Sequence, residues 1–116
     1  MLSKLTESQC RAAMAAGEFP DDILRAAPVV VVALTQSWCP QWFIMRPLLE
    51  ALPGDGRFAA FYVEYDLEPW FEEFLGFKEG AFGNDQVPYL RYYRDGKLFK
   101  TSNYLDKSSF LRIVGP

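Results

Sequence analysis

Residues 29–40 have the sequence Val-Val-Val-Val-Ala-Leu-Thr-Gln-Ser-Trp-Cys-Pro, and this stretch decides the fold. Its first six residues are apolar, mostly β-branched and uninterrupted, which predicts a strand buried on both faces at the centre of a parallel or mixed sheet. A brief polar loop follows, and Pro40 suits the first position of a helix. Apolar residues at helical spacing continue to Leu52, before Pro-Gly-Asp-Gly at 53–56 ends the helix. The chain therefore runs from a buried strand into a helix through Cys39.

The other predicted elements surround this unit and give an α/β fold with a central mixed sheet flanked by helices. A capping box at residues 6–9 starts the first helix, and Asp95-Gly96 is typical of a two-residue hairpin turn. The predicted order is a helix over 7–16, a turn of helix over 23–26, a strand over 58–65, a helix over 69–75, a hairpin over 89–101 and a helix over 106–114.

Composition limits the classes of function. The chain has 116 residues, of which 50% are hydrophobic, so we treat residues 1–116 as a single domain with its own core. A net charge of −3 argues against a nucleic-acid partner, because such binding depends on clustered Lys and Arg. We find no apolar segment of signal-peptide or membrane-spanning length, and we expect a cytoplasmic protein that does not bind membranes.

The sequence contains two cysteines and no histidine. Without histidine, the most common general base is missing and the usual zinc sites cannot be assembled, so we expect no metal. Cys10 lies on the apolar side of the first predicted helix, where a cysteine is most often a small buried residue. Cys39 precedes the helix that Pro40 begins, where unpaired backbone N–H groups favour a thiolate. The alternative is that Cys39 is merely a buried small residue.

Five short motifs occur in a fixed order between residues 29 and 114, namely Trp38-Cys39 with Pro47, Asp66 with Pro69, Phe82-Gly83, Val87-Pro88 and Asp95-Gly96-Lys97. Together they resemble the active-site loop, kinking proline, third-strand end, cis-proline loop and last hairpin of the thioredoxin superfamily. The resemblance implies a thioredoxin-like fold with a cis Val87–Pro88 bond beside Cys39. It also implies that the Val87 backbone pairs with an extended substrate strand, as in other edge-pairing modes of peptide recognition.

Two departures from thioredoxin concern the chemistry. Trp42 occupies the position of the second, resolving cysteine, and Ala33 occupies that of the buried aspartate. A dithiol cycle within one chain is therefore not expected unless Cys10 resolves, and glutathione or another external thiol would have to break a bond formed at Cys39. The resemblance does not extend to the glutathione-binding lysine or Gly-Gly element of glutaredoxins, where this chain has Gln36 and Ser102-Asn103, nor to the iron–sulfur signature of monothiol glutaredoxins.

Two functions remain. The first is a monothiol thiol–disulfide oxidoreductase acting on protein or peptide thiols and disulfides, with Cys39 as nucleophile. The second is a redox-inactive module that holds a peptide or partner protein in a groove formed by Trp38, Trp42 and Pro88. The predicted substrate-binding residues are Trp38, Pro40, Trp42, Val87 and Pro88. Trp42 has a further interpretation, in which it packs against Pro88 or the sheet and shields Cys39.

Overall fold

The computed structural model describes residues 2–115, in which five strands form one mixed sheet in the order β1-β3-β2-β4-β5. Strand β2 is parallel to β3 and antiparallel to β4, and β1 and β5 lie at the two edges. The strands are β1 (Leu2–Lys4), β2 (Val29–Thr35), β3 (Phe58–Glu64), β4 (Tyr89–Arg94) and β5 (Lys97–Ser102). The valine-rich stretch is the middle strand, as predicted.

In the part of the chain that the structure describes, five helices flank the sheet, and a 3₁₀ turn at Tyr65–Leu67 follows β3. Thr6 forms the predicted capping box with Gln9, and Asp106 caps the last helix through the Ser109 amide at 2.8 Å. The helices are α1 (Glu7–Ala16), α2 (Asp21–Leu24), α3 (Pro40–Glu50), α4 (Phe71–Gly80) and α5 (Lys107–Val114). No helix within residues 2–115 is both long and apolar enough to cross a membrane.

The sheet separates two apolar cores, because alternate side chains of a strand point to opposite faces. On the first face, called the α4 face, Val30, Val32 and Leu34 pack against α1, α2 and α4. On the second, called the α3 face, Val31 and Ala33 pack against α3 and α5. Every residue of β2 after Val29 is buried, which agrees with an uninterrupted apolar strand.

Three elements differ from the prediction, and the first is α2, which covers Asp21–Leu24 rather than residues 23–26. Strand β1 was not predicted, since three residues are too few to show an alternating pattern and its position depends on parallel pairing with β3, as between Leu2 and Ala60. Helix α4 runs from residue 71 to residue 80 rather than over 69–75. Phe77 extends it, because its ring contacts those of Phe74 and Phe82 at centroid distances of 5.7 and 4.6 Å.

The predicted hairpin is confirmed at Asp95-Gly96. Both residues have positive φ, 52° and 81°, as a type I′ turn requires. A Cβ on Gly96 would lie 2.7 Å from the guanidinium carbon of Arg25, but this exposed side chain is flexible, so it is the positive φ that requires glycine here.

Candidate functional site

Cys39 occupies the N-cap position of α3, at the carboxyl end of the central strand. Its carbonyl accepts hydrogen bonds from the amides of Trp42 and Phe43 at 3.1 and 3.3 Å. Its side chain makes no capping hydrogen bond. The sulfur instead lies 3.6 Å from the carbonyl oxygen of Val87, and the residue is 4% exposed. The thiol therefore lies between a helix start and the backbone that precedes Pro88.

The loop before Cys39 is fixed by an acid from the 3₁₀ turn that follows β3. The amide and hydroxyl of Ser37 donate to the Asp66 carboxylate at 2.7 and 2.6 Å. The indole of Trp38 donates to Gln36 at 2.6 Å, and 61% of Trp38 remains exposed. The Asp66 carboxylate is therefore an anchor for the loop that precedes Cys39. Only its Asp-x-x-Pro pattern with Pro69 pointed to a structural role.

Val87 and Pro88 approach Cys39 from the opposite side of the loop. Their peptide bond is cis, as the family resemblance implied. Pro88 is buried, while Val87 is partly buried and packs against both cores. Among residues 2–115, no hydrogen-bond acceptor is found for the Val87 N–H. The backbone beside the sulfur thus has a donor available for a further strand.

Trp42 lies in the core beneath Cys39 and is fully buried. Its indole N–H donates to Glu64 Oε2 at 2.9 Å, and its ring is 5.9 Å from that of Tyr62. Arg46 extends this cluster, with its guanidinium 4.6 Å from the Tyr62 ring centroid and 3.7 Å from the Glu64 carboxylate. Trp42 is therefore a packing residue in this structure and presents no ring surface to solvent.

The structure brings Trp38, Pro40, Val87 and Pro88 around Cys39, but it separates Cys10 from them. Cys10 packs on the α4 face and is fully buried, whereas Cys39 packs on the α3 face. The sheet lies between the two side chains. Burial, reinforced by the charge of Glu68, raises the pKa of the Cys10 thiol to about 12. Both properties make Cys10 unsuited to resolving a bond formed at Cys39.

Solved structures provide the comparison for this arrangement. A mutant thioredoxin from Halobacterium salinarum superposes with a TM-score of 0.67 over 97% of this chain and 86% of its own, at 18% identity. The chain has a thioredoxin-like fold. Malassezia sympodialis thioredoxin gives a TM-score of 0.64 at 14% identity, covering 98% of this chain and 88% of its own.

A further thioredoxin-like neighbour, Trxlp from Edwardsiella tarda, matches over the whole length of both chains with a TM-score of 0.63 and 18% identity. Neither a family model nor a curated protein matches the sequence. At these identities, the likeness describes the fold alone.

The two positions at which the sequence resemblance predicts a departure from thioredoxin hold apolar or aromatic side chains. Ala33 is fully buried on the α3 face, and Trp42 fills the first turn of α3. In residues 2–115, no three Cys, Asp or Glu side chains converge as a metal-binding group. The site places the Cys39 thiol beside the Val87 backbone.

Proposed function

We propose that the protein carries out monothiol thiol–disulfide exchange at Cys39, with protein or peptide disulfides as substrates. The observation that supports this is the position of the Cys39 sulfur, at the start of an eleven-residue helix and 3.6 Å from the Val87 carbonyl. A helix N-terminus carries a positive partial charge, which stabilises the thiolate that attacks a disulfide. The adjacent Val87 backbone offers a free N–H to an extended peptide.

The exchange has two balanced steps. First, the Cys39 thiolate attacks one sulfur of the partner disulfide, so that a Cys39–partner disulfide forms and the other partner sulfur leaves as a thiolate. Second, the thiolate of an external thiol attacks the partner sulfur of this mixed disulfide and releases Cys39 as a thiolate. The external thiol, glutathione or another small or protein thiol, supplies the electrons and is itself left in a disulfide.

The second step requires an external thiol because the chain offers no resolving group of its own. Trp42 occupies the position of the resolving cysteine, and Cys10 lies across the sheet. A mixed disulfide at Cys39 would therefore persist until another thiol reaches it. Its lifetime is then set by the concentration and access of that thiol rather than by the fold.

Substrate contacts follow from exposure. Trp38 and Pro40 present exposed surface on one side of Cys39, and Val87 lies on the other. A peptide aligned with the Val87 backbone would bring its disulfide to the sulfur and its side chains to Trp38. Trp42 acts from below as packing, and Pro88 fixes the backbone turn.

The test is formation and removal of a mixed disulfide in a Cys10→Ser background. After incubation with a peptide disulfide, intact-mass spectrometry should show one peptide adduct, which glutathione then removes and which Cys39→Ser lacks. A Cys39 that forms no adduct with the native protein, while it is labelled after denaturation, would exclude this function.

A second candidate is a binding module that holds a peptide or partner protein without exchange. The large exposed ring of Trp38, at 61%, beside a Cys39 that is only 4% exposed favours it. The two functions predict opposite mutant behaviour. Binding alone would be weakened by Trp38→Ala and unaffected by Cys39→Ser, whereas exchange is abolished by Cys39→Ser.

A further inference from the structure

The segment between α4 and Val87 is held by a buried lysine. Lys78 is fully buried near the end of α4, and its ammonium donates to the Asn84 carbonyl at 2.9 Å. The backbone N–H of Asn84 in turn donates to the Lys78 carbonyl at 3.3 Å. Both backbone polar groups of Asn84 are therefore tied to one residue of α4.

A second side chain holds the same segment from the end of β5. The side-chain amides of Asn84 and Asn103 pair with each other, because the Nδ2 of each donates to the Oδ1 of the other at 3.1 Å. Asn103 Nδ2 also donates to the Pro88 carbonyl at 3.0 Å, and Asn84 Oδ1 accepts from the Gln86 amide at 3.0 Å. These bonds fix the backbone immediately before and after Val87.

We propose that Lys78 and Asn103 are positioning residues for exchange at Cys39, since together they hold residues 84–88 so that the Val87 backbone faces the sulfur. This inference rests on the function proposed above. It assigns neither residue a contact with substrate. Both act through Asn84 and the Val87–Pro88 backbone.

The surroundings of Lys78 support a role beyond packing. Within residues 2–115, no carboxylate lies within ion-pair distance of its ammonium, which is 5.7 Å from the centroid of the Tyr89 ring. The Arg91 guanidinium lies over the same ring at 6.0 Å, and the nearby charges of Glu79 and Asp85 only partly offset the burial that lowers the Lys78 pKa. An apolar side chain would fill this site without desolvating a charge. What the ammonium adds is its hold on the Asn84 carbonyl.

The test compares two reagents on Cys39 in the Cys10→Ser background, using Lys78→Met and Asn103→Ala. The rate constant for a peptide disulfide, which needs the Val87 edge, should fall about tenfold. The rate constant for iodoacetamide, which needs only the sulfur, should change less than about twofold. Lys78→Met should be at least as resistant to urea as the parent protein, so that lost exchange cannot be attributed to lost stability.

Asp106→Ala is the matched control, because it removes the cap of α5 without touching residues 84–88. It should leave both rate constants unchanged. Equal loss with both reagents in Lys78→Met and Asn103→Ala, or no loss with either, would overturn the proposal.

Hydrogen exchange separates failure of this inference from failure of the proposed function. In both variants the Gln86 amide should exchange about tenfold faster, while amides at the centre of β2 keep their protection. If the parent protein never reacts with a peptide disulfide, the proposed function is wrong and the hydrogen-exchange result alone decides whether the two residues hold the segment. An unchanged Gln86 amide would overturn the inference in either case.

Discussion

The two cysteines are almost equally buried, yet they occupy different surroundings. Cys10 lies within α1, and its amide is hydrogen-bonded to the Thr6 carbonyl in the helix ladder. Cys39 lies at the start of α3, where helix N–H groups lack intrahelical partners. The exposed fractions are 0% and 4%. The two cysteines thus differ in their position relative to a helix terminus and to the Val87 backbone, and hardly at all in exposure.

The same contrast extends to the polar groups under each face of the sheet. On the α4 face, Arg91 is buried against the Phe82 ring at 3.7 Å and donates to Tyr89, Tyr93 and Glu18. On the α3 face, the corresponding buried interaction is the bond between Trp42 and Glu64. The α4 face therefore buries the Arg91 cation within a network of hydrogen bonds, whereas on the α3 face a neutral indole donates to Glu64 beneath Cys39.

Replacing Trp42 by cysteine should change stability and activity most, because it gives α3 a second thiol like that of a dithiol protein. The lost indole leaves a cavity and removes the donor to Glu64, at a cost of about 3–5 kcal/mol in the free energy of unfolding. The new thiol lies in the first turn of α3, close to Cys39. With thioredoxin reductase as the electron source, the rate at which the variant reduces insulin disulfides should rise from negligible to measurable. Urea denaturation measures the loss of stability.

Trp42→Ala is the control for this experiment, since it forms the cavity without a thiol. It should lose comparable stability and gain no turnover. Equal turnover in the alanine variant, or strong turnover in the wild type, would show that the resolving thiol comes from elsewhere.

Glu18→Ala should destabilise the α4 face by a smaller amount. Arg91 Nη2 lies 2.6 Å from the Glu18 carboxylate, and the Tyr93 hydroxyl donates to the same group at 2.7 Å. Removing one partner leaves a buried cation unpaired, and we expect a loss of about 3 kcal/mol because Glu18 is one-third exposed. Chemical denaturation provides the measurement. Glu72→Ala, at an exposed site, should cost less than about 1 kcal/mol, and equal losses would contradict the importance of the Arg91 network.

The raised pKa of Cys10 should make the free energy of unfolding fall at alkaline pH. Its pKa is raised to about 12 in the folded protein by burial and the charge of Glu68, while the unfolded thiol ionises near the ordinary value of 9.0. Between these two pKa values the unfolded chain binds fewer protons than the folded protein. The contribution of the Cys10 thiol to the free energy of unfolding is therefore fully present below pH 9 and is lost as the pH rises. From about pH 8.5 to 10, the wild type should lose about 1 kcal/mol more than Cys10→Ala.

Urea denaturation across this range measures the slope rather than the absolute stability. Val30→Ala weakens the same face without removing a titratable group and should retain the wild-type slope. A Cys10→Ala slope equal to that of the wild type would show that the thiol ionises without unfolding.

The sequence was sufficient for the elements whose signals are local. The valine run, the Thr6 capping box and the Asp95-Gly96 turn each carry their own physical explanation, and all three appear in the structure. Cys39 at a helix start follows from the same local reasoning. The cis state of Val87–Pro88 followed from family resemblance, because local composition favours the trans form.

What the sequence could not provide depends on long-range contacts. Strand β1 is defined only by its pairing with β3. Lys and Arg side chains are rarely buried, so the residue types of Lys78 and Arg91 do not predict their burial. That burial depends on partners distant in the chain, such as Glu18 for Arg91. Likewise, the carboxylates of Glu64 and Asp66 belong to the site only because β3 ends beside the Cys39 loop. Such charges look like solvated surface until the strand order is known.

The hydrogen bond that fixes Trp42 also gives the protein an optical reporter of its own site. The Trp42 indole is fully buried in the same core as Cys39, and the backbone amide of Trp42 donates to the Cys39 carbonyl. Trp38 is solvated and Trp70 lies on the other face of the sheet, so the three tryptophans occupy distinct environments. We therefore expect a change of oxidation state at Cys39 to alter the ultraviolet emission of Trp42, without any attached dye.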